Sequence, residues 1–326
     1  MTSRSFLIAS LVALMSACQS EEVPTGTDIA VDIQSPIRIW ETRSGSGNFA
    51  TSDEIWVWVG KSGIDDFAKA WHLTTTDGSN FSGTTRYWPE DGSKLSFKAV
   101  HGNFTPSPTE NTTPWSGLTL THTVKDNQTD DAARAKSDLL YAEASNVTSG
   151  ADVNLQFKHL LAKITFVMVR GEGLDITEDQ LKEATVTFTG AKTETTFTAS
   201  PLTTTATGSA ATITMGKTDN LEREAIIPCQ DAALTFTVSI PNCPTTGVTK
   251  TINCHADSNR NFAKNSNTKY TLTLNDDKIT LSPVSVTNFS DEDKTVTASE
   301  IGRGTIGVSG FSDKGEDKSW DAHILP

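Results

Sequence analysis

The sequence predicts an all-β protein, and three observations carry that prediction. Short runs of alternating apolar and polar residues recur along most of the chain. Thr, Ser, Gly and Asn separate them as turn residues. Helical periodicity is scarce. This is the pattern of β-sandwiches and barrels. The chain has 326 residues, 36 % hydrophobic and 21 % charged, so it can bury real cores and suits two domains better than one.

In chain order, residues 1–17 read as a secretory leader. Arg4 gives the positive start, Phe6 to Leu14 the apolar run, and Ser16 and Ala17 the small residues before a cleavage site. The run is shorter than the ~20 apolar residues that span a bilayer. Met15-Ser16-Ala17-Cys18 resembles the lipobox of bacterial lipoproteins, which makes Cys18 the candidate lipidation site. Each buried methylene contributes about 0.8 kcal/mol, so two or three acyl chains anchor firmly where one does not. The acidic stretch Gln19-Ser20-Glu21-Glu22 resembles a surface-export signal of some Gram-negative groups.

Strand candidates in the first half are "IAVDI" (29–33), "PIRIW" (36–40), "EIWVWV" (54–59), "TTRYW" (84–88), "KLSFKAV" (94–100) and "LTLTHTV" (118–124). In the second half they include "VNLQF" (153–157), "KITFVMV" (163–169), "ATVTFTG" (184–190), "ATITM" (211–215), "ALTFTVSI" (233–240), "KYTLTL" (269–274) and "KITLSPVSV" (278–286). Leu234, Phe236, Val238 and Ile240 share one face of their strand, with Thr235, Thr237 and Ser239 on the other. "DITEDQLKEA" (175–184) predicts a short helix capped by Thr177, and "TDDAARAK" (129–136) a turn or two of helix. The polar stretch "NVTSGAD" (146–152) marks a domain boundary. "TASPLTTTATGSAA" (198–211) reads as an exposed loop. The expected organisation is a lipidated segment 18–43, domains 44–150 and 151–290, and a tail 291–326.

Charge and motifs narrow the function. The net charge of −13 disfavours nucleic acid as a partner. "GRGTIG" (302–307) matches a dinucleotide-loop pattern, but no helix follows it. No nucleophile elbow, zinc-protease or P-loop motif occurs, so no catalytic residue, metal ligand or cofactor is expected. The six histidines are scattered, and His159 sits in an apolar context that suits a structural role. Paired acids such as Asp130/Asp131 and Asp276/Asp277 read as solvated turns. The tryptophans of the first half suit core positions, although exposed aromatics could also stack on sugars. Three cysteines remain besides Cys18. Cys243 and Cys254 flank a hairpin-like stretch around Gly247 and are the pair best placed for a disulfide.

Several segments in order carry a family resemblance. After the lipobox come "ETRSGSGNFATSDEIWVWV" (41–59), "RYWPEDGSKLSFKAVHG" (86–102), "DLLYAEA" (138–144), "VNLQFKHLLAKITFVMV" (153–169) and "EAIIPCQ" (224–230). Together they resemble the fimbrillin family, the pilins and pilus-associated lipoproteins of type V pili in Gram-negative gut and oral anaerobes. The resemblance implies two transthyretin-like β-sandwich domains and export as an outer-membrane lipoprotein. It also implies removal of an N-terminal strand by a trypsin-like protease and capture of a strand from the next subunit. A sheet that loses a strand exposes unpaired N–H and C=O groups, which another extended segment completes.

On that reading Ile29, Val31, Ile33, Ile37 and Ile39 fill the groove. Arg43, before Ser44-Gly45-Ser46-Gly47-Asn48, is the first cleavage candidate and Arg38 the second. The donor strand would lie near the C-terminus, where Ile306 and Val308 alternate before Gly310. Partners would be other pilin subunits and the outer membrane. The alternative is a lipid-anchored surface adhesin or glycan-binding module that does not polymerise, contacting a host or bacterial surface ligand.

Overall fold

The computed structural model describes residues 33–34 and 49–288, except 65–66, 220, 244–246, 248, 256–259 and 276–278. Cys18, Ile29, Val31, Ile37, Arg38, Ile39, Arg43, the 302–307 stretch, Ile306 and Val308 lie outside the described residues. The first half contains β1 (Ile33–Gln34), β2 (Glu54–Lys61), β3 (Ala70–Thr75), β4 (Asn80–Gly83), β5 (Leu95–His101) and β6 (Thr119–Thr123). They are followed by α1 (Asp131–Lys136), β7 (Leu140–Val147), β8 (Val153–Asn154) and β9 (Lys158–His159).

Eight of these strands form one sheet in the order β8-β1-β4-β3-β2-β5-β7-β9. β8 and β9 stand at opposite ends of that order, yet only residues 155–157 separate them in the chain. Eight strands laid flat would hold their ends about 34 Å apart, whereas such a link reaches about 14 Å. The sheet is therefore curled, and β7 approaches β8 across the seam. Alternation sorts its side chains. Ile55 and Val57 join Phe97 and Ala99 inside the curl, while Trp56 and Trp58 belong to the core outside it. Phe49 meets Phe81 and Phe157 edge to face at 5.0 and 5.2 Å.

The second half contains β10 (Ala162–Arg170), α2 (Glu178–Lys182), β11 (Thr185–Ala199), β12 (Leu202–Thr214), β13 (Gly216–Lys217) and β14 (Glu222–Ile227). β15 (Gln230–Ala232), β16 (Thr235–Pro241), β17 (Thr249–His255), β18 (Arg260–Phe262), β19 (Ser266–Leu274) and β20 (Ile279–Asn288) complete it. One sheet has the order β13-β14-β10-β19-β20, and the other β12-β11-β16-β17. Their apolar faces meet as a sandwich, with Phe166 against Phe236 at 4.6 Å. β6 from the first half pairs with the far part of β11. Trp115 contacts Trp58 at 5.1 Å and Phe197 at 6.0 Å, so one apolar cluster joins the curled sheet to the sandwich.

The all-β prediction holds, with the first half making its layers from a single curled sheet. Both helices lie where expected. Thr177 caps α2 in a reciprocal capping box with Gln180, and Asp130 caps α1. Four readings change. Residues 198–211 are not a loop but the end of β11, the turn and most of β12. β12 is largely exposed along one Thr-rich run, so it shows no apolar alternation. "TTRYW" is not a strand, because β4 forms earlier, at 80–83. The curled sheet extends past residue 150 to include β8 and β9.

Cys243 and Cys254 do not form the expected bridge. Cys254 pairs with Phe236, far along β17 from the Pro241–Thr249 pair that closes the hairpin. Cys243 lies beyond that closed end and is a buried free cysteine. The intervening strand from Thr249 to Cys254 spans about 17 Å, and disulfide Cα atoms lie within about 7 Å.

Candidate functional site

The site suggested by the fold is the seat of β1. The N-terminal strand is no edge strand. It lies between two partners, antiparallel to β4 through Ile33–Phe81 and Gln34–Asn80, and parallel to β8 through Ile33–Val153 and Gln34–Asn154. Phe81 and Val153 are buried, and Asn80 and Asn154 are exposed. Ile33 thus stands at the register of the apolar row and Gln34 at that of the solvent row, as a period of two requires.

The flanks of the seat are held by local chemistry. Asp77 organises the β3–β4 turn. Its carboxylate accepts hydrogen bonds from the Asn80 N–H (2.7 Å), the Asn80 side chain (2.6 Å) and the Ser79 N–H (2.8 Å). These bonds hold the carboxyl well below the usual carboxylate range, the Asn80 backbone N–H contributing most. The Phe49 N–H donates to the Gly78 carbonyl at 3.1 Å, tying the segment before β2 to the β3–β4 turn. On the other flank, Leu155 and Phe157 follow β8 into the interior of the curl.

The connection from Gln34 to Phe49 carries both arginine candidates, Arg38 and Arg43. A cut after either would leave β1 held to the body only by non-covalent pairing. The seat places the backbone of Ile33 between β4 and β8. The structure does not describe the places of the other four groove-filling residues, the arginines, Cys18 or the donor candidates. The sequence did not single out Phe81 or Val153 as flanks. A strand preceded by the "TDGSN" turn was the available signal for β4.

Other candidates resolve into structural roles. His159 Nδ1 donates to Asp138 Oδ2 at 2.7 Å, and burial pushes the imidazole pKa down. Trp56, Trp58, Trp71, Trp88 and Trp115 are all buried in the two cores. Tyr87 is exposed beside Arg86, whose guanidinium is engaged by the carbonyl of Ala70 (2.8 Å), by Asn111 (3.0 Å) and by the Trp71 ring. Among the described residues, no three His, Cys, Asp or Glu side chains come together as a metal site. No helix among them is long and apolar enough to cross a membrane.

Comparison with known proteins places the chain. Residues 42–288 match the fimbrillin-like family, and the chain belongs to that family. A candidate cell-adhesion protein from Bacteroides ovatus superposes with a TM-score of 0.60 at 14 % identity, over 80 % of this chain and 98 % of that one. One from Bacteroides uniformis gives a TM-score of 0.58 at 21 % identity, over 82 % of this chain and 99 % of that one. At such identities these two likenesses speak for a shared fold. No curated protein matches the sequence.

Proposed function

We propose that the protein is a structural or accessory subunit of a cell-surface pilus, exported as an outer-membrane lipoprotein through Cys18 and assembled by protease-activated strand exchange. Family membership supports the pilus role. The single observation that carries the exchange mechanism is the two-sided pairing of β1, directly upstream of the segment with Arg38 and Arg43. Loss of β1 would uncover the facing backbone groups of β4 and β8 together with Phe81 and Val153. Each buried backbone group left unpaired costs about 1–3 kcal/mol, so an incoming strand is strongly favoured. That strand must run parallel to β8 and antiparallel to β4, with an apolar residue at the Ile33 register. It would come from the C-terminal tail of another subunit, where Ile306 and Val308 alternate.

The adhesin alternative needs an exposed aromatic platform. The five described tryptophans are buried, so the pilus reading is better supported. The test is limited digestion with a trypsin-class protease, followed by N-terminal sequencing and SDS electrophoresis. The expected result is a principal cut after Arg43 and a ladder of SDS-resistant multimers. Cleavage there without multimers would count against polymerisation by strand exchange.

A further inference from the structure

A second polar constellation lies away from the β1 seat. On the sheet containing β10, Ile164 and Phe166 face the sandwich core, and Lys163 and Thr165 alternate onto the opposite face. That face is nevertheless closed off at this end of β10. Lys163 is 2 % exposed, Glu224 7 % and Asn267 0 %. Lys163 and Asn267 are direct partners on the parallel strands β10 and β19, which places them side by side about 4.8 Å apart at the backbone. Glu224 enters from β14 on the other side, opposite Thr165.

The polar atoms are arranged unevenly. Lys163 Nζ lies 3.5 Å from Glu224 Oε1. The Thr165 hydroxyl lies 3.2 Å from Glu224 Oε1 and 3.1 Å from Asn267 Oδ1. One hydroxyl proton cannot serve two acceptors. The conflict is absent once Glu224 has taken a proton from Lys163. Its O–H then donates to Thr165, and Thr165 donates to Asn267 Oδ1, drawing electron density from the carboxamide carbon. Among the described residues, Asn267 Nδ2 and Glu224 Oε2 have no hydrogen-bond partner, which is costly for buried groups and unusual in a finished network.

An amine, a polarised carboxamide and a carboxyl in a dry setting are the parts of an acyl transfer. We propose that Lys163 and Asn267 become joined by an intramolecular isopeptide bond, with Glu224 moving the protons. The Lys163 amine passes a proton to the Glu224 carboxylate, and neutral Nζ attacks the Asn267 Cγ. The Nζ–Cγ bond forms and the Cγ–Nδ2 bond breaks. Glu224 passes the first proton to Nδ2 and takes a second from Nζ as it bonds to Cγ. Nδ2 leaves as ammonia, and the second proton departs with it as ammonium, leaving Glu224 a carboxylate again. No oxidant, metal or cofactor enters the balance. The product locks the first strand of the sandwich to β19, so the parallel β10–β19 pair cannot slide apart when the subunit is pulled. It also removes the buried amide Nδ2 that lacks a partner.

The test is mass spectrometry of the full chain. Peptide mapping of the wild-type protein should give one branched peptide containing both Lys163 and Asn267. The intact masses of the wild type and the Glu224→Ala variant, corrected for the substitution, should differ by one ammonia, the wild type being lighter. Recovery of Lys163 and Asn267 in separate linear peptides from the folded wild-type protein would overturn the proposal. That readout does not depend on the variant folding.

Discussion

At the scale of single residues, buried polar groups give the sharpest expectations. His122 is fully buried. Its Nδ1 accepts from the Asn103 N–H at 2.9 Å, and its Nε2 donates to the Ser137 carbonyl at 3.0 Å, which fixes a neutral ring. Burial pushes its pKa down to about 4, against opposing pulls from Ser137 and Asp138. The unfolded chain takes up this proton near pH 6.5. Between those values the unfolded state binds more protons than the folded one, so stability falls as pH drops from about 6.5 to about 4. The loss is on the order of 3 kcal/mol at most. Urea midpoints at pH 7, 5.5 and 4 will show it, and the advantage of wild type over His122→Gln should shrink as pH falls. Local residue chemistry was the most legible part of the sequence. Thr177 could be identified as a cap because capping needs only neighbours within one turn. Cys243 and Cys254 could not be judged that way, because their separation depends on a register set by side chains across the hairpin.

At the scale of elements, the seat of β1 depends on a few rings. Phe81 packs against Phe49 and stands in register with Ile33. Phe81→Ala should cost about 3–5 kcal/mol of stability. It should also speed release of the cleaved N-terminal fragment, measured by thermal melting and by gel filtration after digestion. β16, with its clean alternation, and β2, a continuous apolar run buried on both faces, were legible from their residues. β12 was not, since it is held by main-chain pairing to β11 along a mostly exposed Thr-rich run. β1 was legible only in part, since Ile33 ends one strand candidate and Gln34 falls between the two, and its two partners were not legible at all. Pairing with β8, far along the chain, is a tertiary fact that no local window contains.

At the scale of the molecule, the two halves are coupled. Trp115 sits between Trp58 of the curled sheet and Phe197 of the sandwich, and β6 crosses from one to the other. The chain should therefore unfold in one cooperative transition. Trp115→Ala should cost about 3–5 kcal/mol and broaden or split that transition, which differential scanning calorimetry will register. The curling of the first sheet was invisible in the sequence because it follows from where β8 and β9 pair.

The central claim is that β1 is a replaceable strand wedged between β4 and β8. Hydrogen–deuterium exchange before and after cleavage in the Arg38–Arg43 segment tests it most directly. Removal of the fragment should raise exchange selectively at residues 80–83 and 153–154, and multimer formation should restore protection there. Unchanged exchange at both strands after the fragment has been removed would contradict the account.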